Sequence, residues 1–141
     1  AGVQAIVIGQ GIWKEELEQK YPNIEFVGWK NKQEMLPYLE KTRCLVFPSV
    51  WYEAAPLTPL EVMAYGVPVI CSDLSAGSEY VAKEFLYDGT NVSALTEKIK
   101  SVQNMDIQSV SQQIFLSFDQ EKYATERYVQ NAIALYKELL K

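Results

Sequence analysis

Histidine is absent from the 141 residues. Its absence removes the commonest general base and metal ligand, and with them the usual nucleophile triads, imidazole metal centres and neutral-pH switches. Chemistry would have to rest on carboxylates or on the backbone. Cationic charge is also scarce. The 13 Lys and Arg stand against 18 Asp and Glu, a formal charge of −5, so the chain lacks the basic footprint of a nucleic-acid or anionic-membrane binder. Cysteine occurs twice, as Cys44 and Cys71, each inside an apolar run (CLVF and VPVIC). A thiol so placed behaves as a small buried hydrophobe, and the expected setting is reducing and cytoplasmic. No apolar stretch approaches the roughly 20 residues of a spanning helix, and no basic segment with an apolar core opens the chain. Neither secretion nor membrane spanning is expected.

What is present, 48% hydrophobic and 22% charged side chains, is the balance of a globular domain with one core. Four short runs read as strands: Gln4–Gly9, Ile24–Gly28, Arg43–Pro48 and Val67–Ser72. Each is apolar on both faces, as in a covered parallel sheet. Helical patterns alternate with them at Ile12–Lys20, Lys32–Lys41 and Pro59–Tyr65, which predicts an α/β fold with a Rossmann-like doubly wound parallel sheet. For the third helix we expect Thr58 as N-cap, Pro59 at the first position, Glu61 closing a capping box and Gly66 as the stop. Asn31 with Glu34 caps the second, whose opening turn Pro37 is expected to disturb. Beyond Ser72 come a polar loop, a short strand at Phe85 and Leu86, helical patterns over Val92–Val102 and Ile107–Phe118, and a long C-terminal helix capped by Asp119. A sheet that opens at residue 4 leads us to expect a fragment of a longer chain.

Ligands of open parallel sheets bind outside the carboxyl ends of the strands, so the loops after the four strands should share one rim. Gly9-Gln10-Gly11 sits between strand and helix, where phosphate-cradling turns occur, but Lys14 replaces the third glycine of a G-x-G-x-x-G pattern. Alone it reads as a tight turn rather than a cradle. Gly28-Trp29-Lys30-Asn31 offers an indole face and backbone groups to a nucleobase, or equally a turn whose aromatic packs on the next helix. In the third loop Glu53 precedes Glu61 by eight positions, with a helix N-terminus between them that favours an anion such as a diphosphate. Carboxylates on either side accept hydrogen bonds from sugar hydroxyls. Helix capping alone accounts for Glu61, whereas Glu53 has no such structural reason to be there. The loop Ser72–Glu79 brings hydroxyls to the same rim or serves only as a solvated connection. Trp51, Tyr52, Tyr123 and Tyr128 read as packing residues.

The segment PSVWYEAAPLTPLEVMAYGVPVICSD resembles the donor-binding, C-terminal half of GT-B fold retaining glycosyltransferases of family 4. The strand ending in Pro48-Ser49, the E-x7-E pair Glu53 and Glu61, the Met63-Ala64-x-Gly66 helix end and the Pro68-Val69-Ile70 strand keep that family's order and spacing. A looser resemblance extends to IVIGQG, IEFVGW and the last helix. It implies two Rossmann-like domains, with a nucleotide-diphosphate sugar as donor on this half and an acceptor on the other. Glu53 would then be catalytic, near the donor's anomeric carbon, and Glu61 would hold the ribose. Gly9, Gly11, Gly28, Trp29 and Lys30 would line the donor site, and the amides of Ala55, Leu57 and Thr58 would face diphosphate and sugar. The resemblance implies no cofactor and no metal, in keeping with the absence of a D-x-D pair, and a role in polysaccharide or glycoconjugate synthesis. It implies no nucleic-acid partner, and any peripheral membrane contact would be made by the acceptor domain.

Two departures stand out. Where the family has Phe-Gly, this chain has Ala55-Pro56, and proline has no N–H to donate. The family's basic pair and first strand–helix unit would precede residue 1. A non-catalytic nucleotide-sugar or sugar-phosphate binding module is therefore the alternative expectation, and an interaction domain that retains only the fold is a third.

Overall fold

A computed structural model describes residues 2–51 and 53–140. Five parallel strands alternate with six helices: β1 (Ala5–Ile8), α1 (Lys14–Lys20), β2 (Ile24–Gly28), α2 (Lys32–Leu39), β3 (Leu45–Phe47), α3 (Leu57–Met63), β4 (Val69–Ser72), β5 (Leu86–Tyr87), α4 (Val92–Gln103), α5 (Ile107–Ser117) and α6 (Thr125–Leu139). Three short 3-10 turns, Ala76–Glu79, Lys83–Phe85 and Glu121–Tyr123, fill the connections. The mixed α/β architecture with parallel pairing and a long last helix agrees with the expectation from sequence.

The sheet is divided, however. β1 pairs only with β2, and β3, β4 and β5 form a second sheet in that order, with no ladder joining the two among the described residues. The expectation that every strand is covered holds for β4 and fails for β1. Val69, Ile70, Cys71 and Ser72 are all buried, whereas Ile6, Val7 and Ile8 are exposed. The cause lies in the neighbouring helix. α1 reads KEELEQK and buries no residue, so it has no apolar stripe with which to cover a strand. The core is consequently built around β4: Val62 of α3, Val67, Val81, Phe85, Tyr87 and Val102 of α4 close on it. Each such aliphatic side chain contributes about 1.5–3 kcal/mol when fully withdrawn from water.

Buried polar groups near β4 are internally satisfied. Ser72 Oγ accepts from Leu74 N (3.2 Å) and Ser75 Oγ from Gly77 N (3.1 Å). Arg43, just before β3, closes the far end of α4. Its guanidinium donates to the carbonyls of Val102, Gln103 and Met105 at 3.2, 2.8 and 2.6 Å, groups that a helix C-terminus leaves without partners.

Several local expectations need correction. α3 starts at Leu57 with Pro56 as its N-cap and no side-chain cap, so Thr58 lies inside the first turn and Glu61 closes no capping box. Pro59 is accommodated because the first turn's amides have no intrahelical acceptor. Pro37 lies inside α2 without ending it, and the Asn31–Glu34 capping box that opens the helix is intact at 3.0 and 2.9 Å. Asp119 Oδ1 accepts from Lys122 N (3.1 Å) and so caps the turn Glu121–Tyr123 rather than α6, which begins after Ala124. Of the aromatics read as packing, Tyr123 stacks on Phe118 and meets Tyr80 edge-on. Trp51 and Tyr128 are exposed, and Tyr52 lies outside the described residues.

Gly66 has φ +75, and an added Cβ would sit 2.9 Å from the Ser111 carbonyl oxygen of α5. Gly66→Ala should lower the unfolding free energy by about 1–3 kcal/mol through left-handed strain and this contact. Gly11→Ala, with nothing within 4 Å of its Cβ, should stay within about 0.5 kcal/mol in the same urea titration. Burial pushes both thiols above their ordinary pKa. Less thiolate is therefore present at neutral pH than in a free cysteine, and the thiolate is the reactive form. A disulfide reagent at pH 7 should modify Cys44 slowly and fully buried Cys71 only after unfolding. Rapid stoichiometric labelling of both in the native state would contradict this packing.

Candidate functional site

The loops after the first three strands are drawn together by two contacts. Gly9 N donates to Gly28 O (2.8 Å), joining the loop after β1 to that after β2. Gly28, with φ +73, takes the left-handed conformation that turns the chain out of β2 and leaves space above its backbone. Next, Lys32 Nζ lies 2.8 Å from Glu61 Oε1, an ion pair that bridges the start of α2 to α3. Loops one, two and three therefore share a rim. The fourth loop leaves β4 beside the end of β3, where Phe47 pairs with Cys71, and is tied on its other side to β5: Asp73 N donates to Tyr87 O (3.0 Å) and Asp73 Oδ1 accepts from Gly89 N (2.9 Å). The hydroxyls of Ser72 and Ser75 are buried, so they are not rim donors.

The two carboxylates have different partners. Glu53, half-buried after β3, accepts from Ser49 Oγ at 3.2 Å, and Ser49 Oγ in turn accepts from Trp51 N at 3.3 Å. Glu61 is 42% exposed and paired with Lys32, which is 87% exposed. The hydrogen bond and charge of Glu61 raise the Lys32 pKa above its ordinary value. Between the carboxylates, Ala55, Leu57 and Thr58 are exposed. Because Pro56 and Pro59 carry no N–H, only Leu57 and Thr58 supply amides at the start of α3. Lys30 is half-buried. Trp29 is 65% exposed, so its ring is not buried against the next helix.

Trp13, Trp29 and Trp51, the chain's three tryptophans, each follow one of the first three strands. Their exposures are 63%, 65% and 76%. Indoles in this position offer apolar faces to flat ligands and N–H groups at their edges. A wide concavity between Tyr65 and α5 is lined by Asp106, Ser109, Gln112 and Phe115. Among the described residues no group of three His, Cys, Asp or Glu is arranged to hold a metal, and no helix is long and apolar enough to cross a membrane.

Sequence reasoning did not single out Ser49 or Lys32. Ser49 carries no signal of its own beyond its spacing from Glu53. Lys32 does carry one, because a cation at the first position of a helix opposes the macrodipole and so points to a partner outside that helix.

The family model for glycosyl transferases group 1 matches residues 1–104. No curated protein sequence matches the chain significantly. Among solved structures, the chain is similar to the catalytic domain of cholesterol-alpha-glucosyltransferase from Helicobacter pylori, with TM-score 0.67 and 18% identity over 79% of this chain and 76% of that one. Similarity to sucrose-phosphate synthase from Thermosynechococcus elongatus has TM-score 0.71 and 23% identity, over 97% of this chain and 38% of the synthase. A glycosyltransferase from Rickettsia africae gives TM-score 0.69 and 15% identity, over the whole of this chain and 49% of that protein. The chain thus spans less than half the length of the latter two. At these identities the structural matches speak for the fold alone, and the family match decides membership: the chain belongs to the glycosyl transferases group 1.

Proposed function

We propose that residues 1–141 form the donor-binding half of a retaining, family 4 glycosyltransferase that transfers a hexosyl group from a nucleotide-diphosphate sugar in polysaccharide or glycoconjugate synthesis. The observation that carries this reading is the rim itself. The loop after β2 and the α3 carboxylate Glu61 are held against each other by the Lys32 ion pair, with Glu53 in the adjoining loop. In this arrangement Gly9, Gly11 and Gly28 leave room for close backbone approach, and Trp29 and Lys30 meet the base. Glu61 accepts from the ribose hydroxyls, and the amides of Leu57 and Thr58 meet the diphosphate.

Glu53 lies at the donor sugar, where an ionised carboxylate stabilises positive charge developing at the anomeric carbon. Metal is not required in this scheme. The acceptor binds a second domain of the intact protein, which works in the cytoplasm. The exposed apolar side chains of β1 fit a sheet face covered by further polypeptide. One observation favours the alternative, a non-catalytic nucleotide-sugar binding module: Pro56 and Pro59 remove two amides from the turn that would hold the diphosphate.

Amide shifts of the chain titrated with UDP, GDP and ADP should cluster at 9–11, 28–31 and 54–61 and identify the base. Glu61→Ala should weaken binding about 10-fold to 100-fold, the loss expected for a hydrogen bond to a charged group. In the intact protein Glu53→Gln should reduce turnover by about 10²-fold or more while sparing nucleotide affinity. Full turnover by Glu53→Gln would remove its catalytic role, and an intact protein that binds nucleotide but transfers no sugar would establish the module.

A further inference from the structure

Lys32 has a place in the fold that its own helix does not account for. It is the first residue of α2, where the positive end of the macrodipole disfavours a cation. Its pair with Glu61 is largely exposed, and exposed pairs contribute little to stability. Yet its position is fixed from both sides. The Asn31–Glu34 capping box sets the entry angle of α2, and Lys32 Nζ then reaches across to α3 at 2.8 Å. The contact is one-sided, falling on Oε1 of Glu61 and leaving Oε2 without a partner among the described residues. An ionised carboxylate has about four acceptor positions over two oxygens, so Oε2 retains capacity for two hydroxyl donors.

We propose that Lys32 is a positioning residue for the donor nucleotide: by holding Oε1 it fixes the rotamer of Glu61 and presents Oε2 to the 2′- and 3′-hydroxyls of the ribose. This rests on the assignment of Glu61 to the ribose and adds to it a residue that orients the carboxylate before the ligand arrives. Ordering a flexible glutamate in advance removes an entropic cost from binding, and the gain is confined to ligands that use the carboxylate. The effect of Lys32 is therefore specific to ribose hydroxyls, which a general electrostatic or folding role is not.

The test is calorimetric titration of the intact protein with whichever of UDP, GDP and ADP binds it tightest, and with the 2′,3′-dideoxy form of the same nucleotide. Lys32→Met should weaken the ribonucleotide about threefold to tenfold and the dideoxy nucleotide less than twofold. Lys32→Arg should restore the ribonucleotide, and the urea midpoints of both variants should match wild type. Equal losses on both nucleotides, or none on either, would overturn the positioning role. Glu61→Ala run alongside separates the two ideas. If it abolishes the preference for ribonucleotide over dideoxy while Lys32→Met does not, only the positioning role fails. If Glu61→Ala leaves the preference unchanged, or no nucleotide binds, the ribose assignment fails and the positioning role with it.

Discussion

Val69, Ile70, Cys71 and Ser72 are all buried in the strand between β3 and β5, with Val69 to Cys71 paired to β3 and Cys71 and Ser72 paired to β5, and the placement of the other elements follows from that strand. A parallel strand buried in this way cannot shift its register without moving apolar side chains out of the core. Its fixed position sets where β3 ends and where α3 begins. Val62 of α3 and Val102 of α4 pack on it, and Arg43 ties the end of α4 back to the start of β3. The loop carrying Glu53 and the helix carrying Glu61 thus leave a rigid strand pair, which is the kind of support a binding constellation needs.

The first two strands contrast with this. β1 and β2 pair with each other, but α1 buries nothing, and the exposed Ile6, Val7 and Ile8 mark a layer without its cover. The ion pair from Lys32 to Glu61 ties the open part of the rim to the well-packed part, and the bond from Gly9 to Gly28 holds β1 against β2. These two polar contacts act at the loops that would meet a nucleotide, while Leu39 of α2 packs on the core. Much of the candidate site, including Trp29, Leu57 and Thr58, is exposed, and local rearrangement there costs less than in the core around β4.

Membership of the glycosyl transferases group 1 and the chemistry of the rim converge on carboxylates. With no histidine in the chain, Glu53 and Glu61 are the rim's ionisable acceptors with a clear placement. Their environments differ in a way that suits two tasks. Glu53 is half-buried and accepts from the neutral hydroxyl of Ser49, with no cation paired to it among the described residues. Glu61 is more open, and its charge is offset by Lys32.

The sequence by itself determined the order of strands and helices, the buried character of VPVIC, the capping box at Asn31 and Glu34, and the E-x7-E spacing that singled out the two carboxylates. These are local or periodic properties, set by side-chain pattern and turn chemistry within a few residues. Only the tertiary structure decided that Glu61 pairs with Lys32 rather than capping α3, that Ser49 holds Glu53, that Ser72 and Ser75 turn inward, and that β1 and β2 pair apart from β3, β4 and β5. The physical reason is common to all four. An oxygen that can bond to its own backbone, to a side chain on another helix or to solvent takes the partner that packing places nearest, and packing between distant segments leaves no periodic trace in the chain.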